Sequence, residues 1–170
     1  ATAKRRGFAK VSQMKLAVAK TIRDFVFGGG FMFAMCSATD SYDIALSAEG
    51  TDICSEMYDG DAQSPDAQSK LDFARCFAFE NFHLRTNPYE YEYSDIDVTT
   101  YRTVAKDLDY FTLFDFSAKW DPVPTMLCQD HTRTIKGFLG QTTAFNKKMI
   151  KSNVLVMGQN SEHGEARYIH

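Results

Sequence analysis

The stretch Gly28-Gly29-Gly30-Phe31-Met32-Phe33-Ala34-Met35-Cys36-Ser37-Ala38-Thr39-Asp40 constrains the fold of this 170-residue chain more than any other. Before it, Met14, Val18, Ile22, Phe25 and Val26 recur at helical spacing behind Ser12, which predicts an N-capped amphipathic helix over 12–27. The three glycines stop that helix, because glycine tolerates the left-handed conformation in which helices end. The run 31–35 has no polar alternation, as in a strand covered on both faces, the habit of parallel sheets. A second helix is predicted over 39–49, closed by Gly50. Ser37-x-x-Asp40 has capping-box form, with Asp in place of Glu or Gln. Helix, strand and helix with tight junctions are the unit of a layered α/β domain.

The rest of the chain is richer in strands. After a turn-like stretch from Asp59 to Ser69, a short helix is predicted over 65–75 and a strand over 76–79. Tyr89-Glu90-Tyr91-Glu92-Tyr93 alternates strictly, which predicts a strand with one face of tyrosines. Those tyrosines offer either a packed sheet face or a stacking platform for sugars or a partner. Further strands are expected over 111–117, 125–128, 134–139 and 142–145, with Trp120-Asp121-Pro122-Val123-Pro124 as a rigid loop. Strands over 153–158 and 165–170 read as a hairpin.

A chain of this length suits one domain. The net charge of −3 leaves no nucleic-acid footprint, and the basic cluster Lys4-Arg5-Arg6 with Lys10 reads as a solvated end. No apolar run approaches the roughly 20 residues that span a bilayer, and no signal peptide is present. The chain begins without Met and stops at His170 in a strand-like segment, so residues 1–170 are expected to be a large part of one domain, truncated at both ends.

Cys36 is the leading chemical candidate. A cysteine between a strand and a helix N-terminus is held in a strained turn where free N–H groups and the helix dipole favour a thiolate. The same N–H groups, Ser37's first, are placed to stabilise an oxyanion, as at a nucleophile elbow. Asp40 would orient the turn as a cap. Alanines stand at 34 and 38, where such elbows carry glycine, and an inert buried cysteine is the alternative reading. None of His83, His131, His163 and His170 has a spacing that marks it as the base. Cys54, Cys76 and Cys128 form no C-x-x-C pair. Asp95-Ile96-Asp97 and Asp59-Gly60-Asp61 pair carboxylates without an EF-hand loop and read as solvated turns and strand ends. Gly28–Gly30 precedes the predicted strand, whereas a phosphate loop follows one. The sequence calls for no metal and no cofactor.

The stretch from Gly29 to Asp40 also resembles a bacterial family commonly labelled "asparagine synthetase B". The likeness continues through Asp52-Ile53-Cys54, Asp59-Gly60-Asp61, the segment Phe111-Thr112-Leu113-Phe114-Asp115-Phe116-Ser117, Lys136-Gly137-Phe138-Leu139-Gly140-Gln141-Thr142-Thr143 and Glu165-Ala166-Arg167-Tyr168-Ile169-His170. Asparagine synthetases with glutaminase activity use an N-terminal cysteine and a Ser-Gly-Gly-x-Asp-Ser loop, and this sequence contains neither. The resemblance implies a class I glutamine amidotransferase-like, ThuA-like domain: a flavodoxin-like parallel sheet flanked by helices, with a strand-rich second half. It places Cys36 at the nucleophile position and its histidine partner beyond His170. It implies amide hydrolysis or amidotransfer on a small molecule, or else a non-catalytic module holding a sugar or metabolite. It suggests export to the periplasm, with the cytoplasm as the alternative.

Overall fold

A computed structural model of the chain describes residues 2–99, 109–113, 133–137, 140–160 and 162–170. The expected strand over 125–128, the loop 120–124, His131, Cys128 and the far ends of the strands over 111–117 and 134–139 lie outside them. Helices fill the first part: α1 (Thr2–Arg5), α2 (Val11–Phe27), α3 (Ala38–Ser47) and α4 (Glu56–Asp59). Four strands follow: β1 (Tyr110–Leu113), β2 (Thr134–Lys136), β3 (Val156–Asn160) and β4 (Ala166–Ile169).

The flavodoxin-like expectation is overturned by the sheet. Its order is β2-β1-β3-β4, and every neighbouring pair is antiparallel. Residues 31–35 have no regular secondary structure and join no strand. Phe31, Phe33 and Met35 are 57%, 42% and 67% exposed, so the apolar run is not sandwiched between helices. A short apolar run suits an extended backbone, but periodicity alone does not say what covers it. The sheet is instead assembled from late segments. β3 and β4 form the expected hairpin, irregular in register between Val156 and Gln159. Gly158 lies where β1 and β4 crowd it: a Cβ there would stand 3.1 Å from the Tyr168 Cβ and 3.2 Å from the Phe111 ring.

α2 begins at Val11, not behind Ser12: Lys10 is the N-cap residue, and its N–H donates to the Gln13 side chain at 3.3 Å. Two of the glycines after α2 have distinct reasons. Gly29 takes a φ of 94°, and the Phe25 ring packs so closely on Gly30 that a Cβ there would lie 2.3 Å from it.

The core joins α3 to the middle of the chain. Ile44, Cys76, Phe79, Phe82, Ile96, Phe145 and Ala166 are buried together, with Phe79 and Phe145 edge to face at 5.7 Å. Asp43 fastens this arrangement. Its buried carboxylate accepts the N–H groups of Phe77, Ala78 and Phe79 at 2.6–2.8 Å, pinning that segment to α3. The strands expected over 76–79 and 142–145 therefore reduce to single bridges, Phe79 to Ile150 and Phe145 to Asp97 and Ala166. The helix expected over 65–75 is two short 3-10 turns, Ala67–Lys70 and Phe73–Arg75. The tyrosine strand is absent too: Tyr89, Tyr91 and Tyr93 stand 88%, 56% and 44% exposed in an irregular segment that begins with a turn at Pro88.

A second cluster of Leu113, Met157 and Tyr168 packs within the sheet. Beside it Arg167 and Asp109 form an ion pair, both side chains almost fully buried, and Asn160 donates to the same carboxylate. Among the described residues, no helix is long and apolar enough to cross a membrane.

Candidate functional site

The chain runs irregularly through 31–35, turns at Cys36 and Ser37, and enters α3 at Ala38. Cys36 makes the turn with a φ of 56°, the left-handed region that non-glycine side chains seldom occupy. The Cys36 carbonyl accepts from the Thr39 N–H at 2.9 Å and the Thr39 hydroxyl at 2.7 Å. The Ala38 N–H is used as well, by the Met35 carbonyl at 3.2 Å. Neither the Cys36 nor the Ser37 N–H has an acceptor among the described residues. The Cys36 side chain is half-buried and its thiol is free.

The expected capping box does not form. Ser37 has helical φ and ψ of −58° and −15°, and its side chain caps nothing. Asp40 turns inward and is fully buried. Its Oδ1 lies 3.2 Å from the Thr142 hydroxyl, which is also 3.4 Å from Asp97 Oδ2. Asp97, read from the sequence as solvated, is buried and accepts the N–H groups of Thr99 at 2.8 Å and Thr142 at 2.7 Å. Burial, reinforced by the charges of Asp97 and Asp43 and partly opposed by the Thr142 hydrogen bond, pushes the Asp40 carboxyl up to about 7. No spacing marks Asp40, Asp97 and Thr142 as one cluster. The only trace in the sequence is the slip in alternation after Tyr93, which puts Ile96 and its neighbours out of step with the tyrosines.

The histidines lie elsewhere. His83 pairs with Asp95 at 3.3 Å and His163 with Glu162 at 3.5 Å, while the His170 N–H donates to Leu155. None of these three is bonded to Cys36. Burial, followed by the nearby Asp43 charge, pushes Cys76 up to about 12, and burial with Asp59 raises Cys54.

A groove of about 800 Å³, which no sequence signal marks, lies between α2, α3 and the 84–93 segment. Its wall reaches Ser37 and Ser41 at the start of α3, and Tyr42, Tyr58 and Tyr93 supply aromatic surface. Lys10 stands at its edge, 2.5 Å from Asp61 and 3.4 Å from Asp52. Among the described residues, no group of three or more His, Cys, Asp or Glu side chains is placed to hold a metal ion. Comparison with protein-family models, curated proteins and solved structures found no match.

Proposed function

We propose that the protein performs thiol-based amide chemistry at Cys36, hydrolysing or transferring the carboxamide nitrogen of a small molecule such as glutamine. The left-handed turn at Cys36 carries this reading. A strained non-glycine residue at a loop-to-helix junction holds its side chain clear of the backbone, as a nucleophile elbow requires. The open Ser37 N–H beside it supports the role of oxyanion donor. In the reaction the Cys36 sulfur attacks the amide carbon, the C–N bond breaks as ammonia leaves with a proton, and water cleaves the thioester. The resemblance to the family labelled asparagine synthetase B points to the same chemistry. The test is ammonia release from glutamine by the intact protein and by C36A. Release above the uncatalysed rate that disappears in C36A supports the reading, and equal release from both overturns it.

The groove favours a second reading, a module that holds a sugar or polar metabolite without reacting with it. Three tyrosines beside serine hydroxyls suit the apolar face and hydroxyl rim of a sugar. Saturable sugar binding that Y93A weakens and C36A leaves intact supports this second reading. Binding that neither variant changes removes it.

A further inference from the structure

We propose that Asp40, Thr142 and Asp97 form a proton-held latch, in which one proton on Asp40 fastens the 140–145 segment to the start of α3 and its loss to solvent frees that segment. The Thr142 hydroxyl has a single proton yet lies within 3.2 Å of Asp40 Oδ1 and 3.4 Å of Asp97 Oδ2. With a proton on Asp40, the chain of bonds runs one way: Asp40 donates to the Thr142 oxygen, and Thr142 donates to Asp97. Asp97 is the anionic end, since backbone N–H groups of Thr99 and Thr142 already point at its two oxygens. Without that proton, two carboxylates compete for one hydroxyl inside the protein, and an unmet acceptor there is costly. Asp40 Oδ2 is buried with no hydrogen-bond partner among the described residues. The ionisable groups acting on it are both anionic: Asp97 from the facing 94–99 segment and Asp43 on its own helix.

Backbone strain makes the latch a point of release. Thr142 is β-branched and fully buried, yet it takes a φ of 52°. Such a conformation persists only where surrounding bonds over-determine it. Here those bonds are its N–H and hydroxyl on Asp97 and the Asp40 proton on its hydroxyl oxygen. Loosening the Asp40 end therefore favours relaxation of residues 142–144, whose N–H groups reach Asp97 and Thr99. The latch does not depend on the chemistry proposed for Cys36.

Amide hydrogen exchange at Thr142, Thr143 and Ala144 tests it. After correction for intrinsic rates, the opening constant of these amides is expected to rise about tenfold per pH unit between pH 5 and 6.5. In D40N, whose amide nitrogen donates to Thr142 at every pH, it is expected to stay flat. An equal rise in D40N, or none in the wild-type protein, overturns the latch. A carbon-13 titration of the Asp40 carboxyl in the wild-type protein gives a reading that does not depend on the variant. A midpoint near neutrality supports the proposal, and one near the usual aspartate value of about 4 overturns it.

Discussion

Cys36 carries the backbone strain of a left-handed turn, with a φ of 56°. A left-handed non-glycine residue costs of order 1 kcal/mol or more relative to glycine at the same position. C36G is accordingly expected to raise stability by about 1 kcal/mol while abolishing any thiol chemistry, a pairing typical of functional positions. Urea denaturation of C36G and wild type checks this, and a fall in stability of similar size would remove the strain argument. Asp40 is the residue whose role changes most between sequence and structure. Its place three residues after Ser37 is that of a capping acid, but a helical turn also carries its side chain to the buried face. There a hydroxyl 102 positions away competes with the local cap and wins.

At the scale of elements, the two longer helices and the last hairpin were readable, whereas the short helical turns and the other strand partnerships were not. α2 and α3 lie within a residue or two of their expected bounds, because periodicity, glycine stops and local spacing are all short-range signals. The β3–β4 hairpin was equally legible, its strands being separated only by a glycine-bearing loop. The run 31–35 shows the limit: its residues suit an extended backbone, but whether neighbours cover it depends on distant segments. The tyrosine alternation fails for a related reason, as the turn at Pro88 and the inward demands of Ser94, Ile96 and Asp97 break any strand there. Asp43 gives the clearest element-scale prediction. D43A leaves three inward N–H groups without their acceptor, each worth about 1 kcal/mol or more. A loss of about 3 kcal/mol in urea denaturation is expected, and a loss below 1 kcal/mol would show that the 77–79 segment is held by its phenylalanines alone.

For the molecule as a whole, buried charge sets the response to pH and to mutation. Asp40 keeps a proton in the folded protein up to about 7, whereas the unfolded chain releases it near 3.8. The stability it contributes is therefore full below pH 4, declines as pH rises and is gone above pH 7. The span is on the order of 2–4 kcal/mol. The stability difference between wild type and D40N, followed by urea titration from pH 4.5 to 8, is expected to shift in favour of D40N with rising pH. A constant difference would contradict the assignment. The Arg167 guanidinium donates to the Thr143 carbonyl at 3.5 Å as well as pairing with Asp109, so R167M strands the buried Asp109 carboxylate beside Gly137 and is expected to cost about 3–5 kcal/mol. Thermal unfolding reads that loss directly, and an unchanged transition would mean that the pair is dispensable.

The central claim is that the turn before α3 presents a reactive thiol. The most direct measurement is the second-order rate of iodoacetamide alkylation at Cys36 in the intact folded protein, resolved by peptide mass spectrometry. Cys36 is expected to be modified faster than free cysteine at the same pH and well ahead of Cys54 and Cys76. Alkylation no faster than that of free cysteine would contradict that claim.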